Sequence, residues 1–173
     1  MEIARIDPKT VLLRDINSFA AGLLRRIPLE ADPGDDAAAH ERLFSKPVVG
    51  GKGGKLAKEL NEEWKLYVEP ELDHIFQSAN ETVSGDLKQL RQTGGDEGSE
   101  TYELGIPVSH LEQWLNTLNQ ARLVIAARNG FTEVELDGDL PQMINSTRDM
   151  NLLQMHFYGE MQHVFIRHIE VDA

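Results

Sequence analysis

The 173-residue sequence contains no cysteine, which removes disulfide frameworks, thiolate metal sites and cysteine nucleophiles together and fits a reducing compartment. It is also poor in positive charge: 17 Lys and Arg against 29 Asp and Glu give a formal net charge of −12. Such a balance repels phosphate backbones instead of releasing their counterions, so neither nucleic acid nor an anionic membrane is expected as a partner. The short basic run of Lys46, Lys52, Lys55 and Lys58 is too small to reverse it. No stretch approaches the ~18 apolar residues of a membrane-spanning helix. The start, Met1-Glu2-Ile3-Ala4-Arg5, lacks the layout of an export signal, and a cytoplasmic protein is expected. What is present is an ordinary globular composition, 40% hydrophobic and 27% charged, in a length that suits one domain over 1–173.

The apolar pattern predicts a mainly α fold, a bundle of long amphipathic helices with a small N-terminal β-hairpin. Residues 2–6 alternate apolar and polar, Asp7-Pro8-Lys9 supplies a turn, and 10–13 is β-rich. Asp15 is placed to cap a helix with Ile16, Phe19, Ala20, Leu23, Leu24 and Ile27 on one face, which Pro28 ends. Asp36 caps a short helix reaching Phe44. Two segments read as flexible loops, about 45–54 and 93–100, from their glycines and polar residues. Between them Leu56, Leu60, Trp64 and Tyr67 recur with helical spacing, and the pattern resumes as Leu72, Ile75, Phe76, Ala79, Val83, Leu87 and Leu90; Pro70 either kinks one helix or starts a second. Residues 101–104 add a third short strand. A helix from Val108, with Ser109 and Glu112 spaced for a capping box, ends at Asn129-Gly130. A last helix begins at Asn145, Ser146 or Thr147 and carries the stripe Met150, Leu153, Phe157, Met161, Val164 and Phe165.

Several motifs resemble chemistry and fail on spacing or direction. Gly50-Gly51-Lys52-Gly53-Gly54-Lys55 lacks the first glycine of a phosphate loop, at Val49, and has Leu56 where a Ser or Thr should ligate magnesium, so it reads as a solvated loop. Glu71 to His74 and Glu160 to His163 have the Glu-x-x-His spacing of di-iron bundles. His74 nevertheless falls roughly 160° from the centre of its stripe, and His156 and His163 lie about 90 to 120° off theirs. His156, Glu160 and His163 are therefore retained only as the weaker metal alternative. His168 lies on the apolar centre line of the last helix and reads as a packed histidine. No serine-hydrolase elbow is present. The acidic stretch 133–139 reads as a loop without the full oxygen set of a calcium site. No cofactor and no catalytic residue is implied.

Arg122 is different, because it projects within about 20° of the centre of the Leu111, Trp114, Leu115, Leu118 and Ile125 stripe. A guanidinium taken out of water needs a partner, and a carboxylate satisfies its rigid fork best. Glu63, inside the Leu56, Leu60 and Tyr67 stripe, and Glu160, bordering that of the last helix, are the candidates. Such a link is either a structural ion pair between helices or a clamp for a ligand anion.

The runs Leu118-Asn119-x-x-Arg122-Leu123, Arg128-x-Gly130-x-Thr132 and Tyr158-Gly159-x-x-Gln162 resemble the uncharacterised bacterial family known as domain of unknown function number two thousand and seventeen, over about 56–168. The resemblance implies a cytoplasmic, mostly helical protein with no established activity, in a family often encoded beside an adaptor of the Clp protease, an association that assigns no task. It marks Asn119, Arg122, Arg128 and Gln162 for inspection beside Glu63 and Glu160. The expected function is a non-enzymatic protein-interaction or regulatory domain. The alternative is a helical domain that holds an anionic small ligand, or a metal, between its helices through Arg122 and neighbouring carboxylates.

Overall fold

The computed structural model describes residues 1–46, 54–96, 98–138 and 143–170. It is helix-rich, with a small antiparallel sheet of four strands in the order β1-β2-β4-β3. The strands are β1 (Glu2–Asp7), β2 (Thr10–Asn17), β3 (Arg91–Gly94) and β4 (Thr101–Pro107). The hairpin and the strand over 101–104 form as the alternation predicts. β3 does not: residues 93–94, read as part of a flexible loop, pair with Thr101 and its neighbours. Short polar edge strands carry no alternation to reveal them. Gly95, with φ of +89°, makes the turn out of β3, and a Cβ there would collide with the Ser99 carbonyl.

Val11 and Leu13 of β2 and Leu104 and Ile106 of β4 are fully buried, as a one-sided sheet requires. Ile16 is buried too, although strict alternation from Leu13 would turn it outward. Pairing with β4 slips between Leu13 and Ile16, and Asp15 adopts φ of 52° there. This bulge restores Ile16 to the inner face. Asp15 is thus the bulge residue and not a cap; Asn17 Oδ1 accepts the Ala20 N–H at 2.8 Å and starts α1 (Ser18–Ala31).

Pro28 lies inside α1 instead of ending it. It cannot donate to Leu24 four residues back, yet its own carbonyl accepts Asn80 Nδ2 at 3.0 Å, so a tertiary contact holds the last turn. Asp36 caps α2 (Ala37–Leu43) as expected. After it, α3 (Lys55–Glu63) runs into a π-helical turn at Trp64–Val68 and on into α4 (Glu69–Leu87). Pro70 lies in the first turn of α4, as the alternative of a second helix expects, and the π turn joins that helix to α3. Its missing N–H falls just after the wider turn, where the helical bonding has already shifted register, with the Glu69 N–H on the Trp64 carbonyl. The flexible loop expected at about 45–54 falls largely outside the described residues.

A 3-10 turn at Val108–His110 leads to α5 (Leu111–Asn129), whose first turn has no side-chain cap, so the Ser109 and Glu112 box does not form. Its C-terminus is as read: Gly130, φ 57°, takes the left-handed cap position. A capping box appears instead at Thr132 and Glu135, turning the acidic stretch into a short helix, α6 (Glu133–Asp137). The last helix among the described residues is α7 (Thr147–Glu170). α5 packs against α1, α2, α4 and α7, and the strands share one core cluster with α1, α5 and α7. α7 is rotated from the predicted stripe. Gln154, Met155, Tyr158, Met161 and Phe165 are buried, while Met150, Leu153, Phe157 and Val164 are only half-buried. No helix among the described residues is long and apolar enough to cross a membrane.

Candidate functional site

Arg122 enters the interior from α5, but no carboxylate meets it. Its Nη1 donates to Gln162 Oε1 of α7 at 2.7 Å, and Gln162 Nε2 donates onward to the Leu115 carbonyl at 3.1 Å. The expected link to Glu63 does not form, because Glu63 is exposed on α3, and Glu160 is exposed without a bond to Arg122. Helical phase gives the face on which a residue lies but not which helix covers that face. A neutral amide thus replaces the expected ion pair. The Arg122 Nε is buried and has no partner, and His156 Nε2 one turn before Glu160 is in the same condition. Arg122, His156, Met155, Leu136, Gly159 and Glu160 line a small cavity of about 250 Å³. Gly159 leaves the guanidinium face open, since a Cβ there would come within 3.5 Å of Cζ.

The other candidates are dispersed. Asn119 is exposed on α5. Arg128, near the C-terminal end of α5, donates from Nη2 to the Asp32 and Pro33 carbonyls at 2.9 and 3.1 Å, with the Glu30 and Asp36 carboxylates at 3.8 and 3.9 Å. It ties the turn after α1 to α5, a structural task. Glu30 is itself buried and also accepts Arg26 Nη2 at 2.5 Å. His74 is exposed, His163 bonds Arg167 of its own helix at 2.5 Å, and His168 is half-buried beside Ile3 and Val164. Among the described residues no three or more His, Asp or Glu are arranged to hold a metal ion, so His156, Glu160 and His163 do not converge as ligands.

Two polar arrangements escaped the sequence reading. Asp86 at the end of α4 is buried and accepts Trp114 Nε1 at 2.9 Å, with His110 Nδ1 at 3.0 Å from its other oxygen. A buried indole needs an acceptor, which was the available signal, but nothing local in the sequence selects Asp86. Tyr158 on α7 is fully buried; its hydroxyl donates to the Leu23 carbonyl at 2.9 Å and accepts from Gln154 Nε2. Burial raises the pKa of this phenol well above its ordinary value. Both arrangements bind secondary-structure elements to one another, Asp86 tying α4 to α5 and Tyr158 tying α7 to α1.

The molecule's largest departure from a closed core is α3. Leu56, Leu60, Leu66 and Tyr67 of this helix and its π turn are exposed, Leu56 and Tyr67 by 65% and 67%. None of its residues is buried, and among the described residues it makes no extensive contact with any element but the turn that follows it. Its good helix formers and the pairs Lys55 to Glu59 and Lys58 to Glu62, at 3.7 and 4.0 Å, support the helix locally.

No curated protein and no solved structure matches the chain. Residues 9–169 match the family model described as Domain of unknown function (DUF2017), the family that the runs in 118–123, 128–132 and 158–162 resemble, and the chain belongs to that family.

Proposed function

We propose that this chain is a non-enzymatic, cytoplasmic interaction domain in which a bundle of long helices carries the 55–68 arm as its docking element. The observation that supports this reading is the exposed ridge of Leu56, Leu60, Leu66 and Tyr67 on a helix with no extensive packing of its own. An amphipathic helix with an uncovered apolar face is the form in which helices enter grooves of partner proteins. Residues 55–68 carry Lys55, Lys58 and Lys65 against Glu59, Glu62 and Glu63 and have no net charge, so the matching surface is an apolar groove. Burying four large side chains yields about 6–12 kcal/mol gross, against roughly 4–15 kcal/mol for association. The ridge alone therefore supports a transient complex.

The test is site-specific photo-crosslinking in the cell of origin. With a photoreactive phenylalanine analogue at position 67, the expected outcome is a discrete crosslink to another protein, lost when Leu56→Glu and Leu60→Glu are added. Crosslinks only to the chain itself, or a crosslink that survives both substitutions, would contradict the proposal.

A second reading rests on Arg122 and His156 lining one cavity of about 250 Å³: a small carboxylate or phosphate held there. Glu160 at its edge opposes an anion. Gly159→Ala separates the readings. It should raise stability by up to ~1 kcal/mol through helix propensity while abolishing any stabilisation by phosphate or acetate. Anion stabilisation that is unchanged in this variant would discard the site.

A further inference from the structure

The sheet ends on two edges that are built differently. β3 is four residues, Arg91-Gln92-Thr93-Gly94, all polar or glycine and all exposed, the short form in which an edge resists pairing. β1 is six residues, carries neither Lys nor Pro, and includes Ile3 and Ile6. Ile6 is 57% exposed, and Met1, just before the strand, 45%. Among the described residues no strand or loop pairs with the outer side of β1.

Ile3 and Arg5 stand opposite Leu13 and Val11, which are fully buried, so both belong to the inner face of the sheet; Glu2 and Ala4, opposite Arg14 and Leu12, belong to the outer one. On the inner side Met1 and Ile3 line a groove of about 580 Å³ whose other wall is Phe157, Met161 and Val164 of α7. A strand added beyond β1 would run about 4.8 Å from it and send alternate side chains to the same side as Ile3, over this groove. Unpaired backbone groups above an apolar trough are what strand addition uses.

The sequence of β1 selects the added strand. Two copies related by a two-fold axis through the sheet keep their inner faces on one side only when a residue lies on that axis, because side chains alternate. Arg5 there opposes two guanidinium groups and Glu2 opposes two carboxylates, both unfavourable. Ile3 there leaves only residues 2–4 of the strand opposed. Ala4 there sets Ile3 against Arg5 and Glu2 beside Ile6, with no like charges facing and a small side chain at the closest approach.

We infer that β1 pairs antiparallel with β1 of a second copy about Ala4, joining two sheets of four strands into one of eight and covering both grooves. The contact uses no residue of the 55–68 arm, so its failure leaves that reading untouched.

Sedimentation velocity on the full chain tests it at about 0.15 M salt, where repulsion between charges more than ~8 Å apart is screened. A concentration-dependent species of twice 19.4 kDa is expected by about 100 μM. Ile6→Asp, at an exposed position, sets a carboxylate beside Glu2 of the second copy twice per dimer and should weaken association about tenfold or more. Because the chain has no cysteine, Ala4→Cys places one thiol at the axis. Opposed Cα atoms of an antiparallel pair lie roughly 4.5–5.5 Å apart, within disulfide reach, so mild oxidation should give a covalent dimer. Gln92→Cys on β3 should give far less, and this pair of variants decides the matter should Ile6→Asp fail to fold. A monomer throughout the concentration range, a dimer unaffected by Ile6→Asp, or equal crosslinking from positions 4 and 92 overturns the inference.

Discussion

α5 and α3 are written in the same way and have opposite fates. Both carry large apolar residues at helical spacing. On α5 most of the stripe is covered: Leu111, Trp114 and Leu118 are 0% exposed, with α1, α4 and α7 packed on the helix, and Leu115 is half-buried. On α3 the equivalent residues face solvent. Periodicity reports that a helix has an apolar face, whereas what covers that face depends on the rest of the chain or on another molecule. Polar chemistry does not separate the two: α5 ties Trp114 Nε1 to Asp86, yet its Gln120 Nε2 and Arg122 Nε are buried and unpartnered, as Asn61 Oδ1 and Trp64 Nε1 are along the arm.

Breaking the covered side gives the largest expected effects. Trp114→Ala empties the centre of the core and strips Asp86 of its indole donor, and should cost about 3–5 kcal/mol in chemical denaturation. A loss below ~1 kcal/mol would show that the α4–α5 junction is looser than its burial implies. Tyr158→Phe keeps the ring but removes the tertiary bond to the Leu23 carbonyl and orphans Gln154 Nε2, and should cost about 1–3 kcal/mol. The third test concerns the junction of α5, α6 and α7, where Arg148 bonds Glu135 at 2.6 Å and the Asn129 carbonyl at 2.6 Å. Hydrogen bonds from the Thr132 backbone N–H, Arg148 and the Thr132 hydroxyl hold the Glu135 carboxyl down at about 2, below its ordinary 4.5. A lowered folded-state pKa gives stability that is present above 4.5 and is lost as pH falls toward 2. The melting-temperature gap between wild type and Glu135→Gln should therefore be widest at neutral pH and close on acidification. A gap that widens in acid would reverse the assignment. The smallest effect is expected on the uncovered side: Leu56→Glu and Leu60→Glu should each change stability by no more than ~0.5 kcal/mol.

Where local chemistry decides, the sequence was sufficient. Asp36 caps α2, Gly130 stops α5, and the 2–7 and 10–17 hairpin follows from its alternation and turn. The residues that the reading misplaced depend on neighbours far along the chain. Pro28 stays helical because Asn80, 52 residues away, holds its carbonyl, and Asp15 forms a bulge because β4 fixes the register. Arg122 was correctly placed on an inner face, yet its partner is Gln162 and not a glutamate, since position on a wheel does not rank the residues of other helices. Gln120, 3% exposed on α5, was invisible for a different reason: a glutamine is neither apolar enough to mark the core nor charged enough to demand a partner.

The contrast between the two helices is read most directly by amide hydrogen exchange on the purified chain. Packing ties the exchange of α5 to global unfolding, whereas a helix without tertiary cover opens locally. Amides of residues 55–68 should exchange orders of magnitude faster than those of 114–125; equal protection in the two segments would show that the arm is covered in the free protein and would contradict its role as an open docking element.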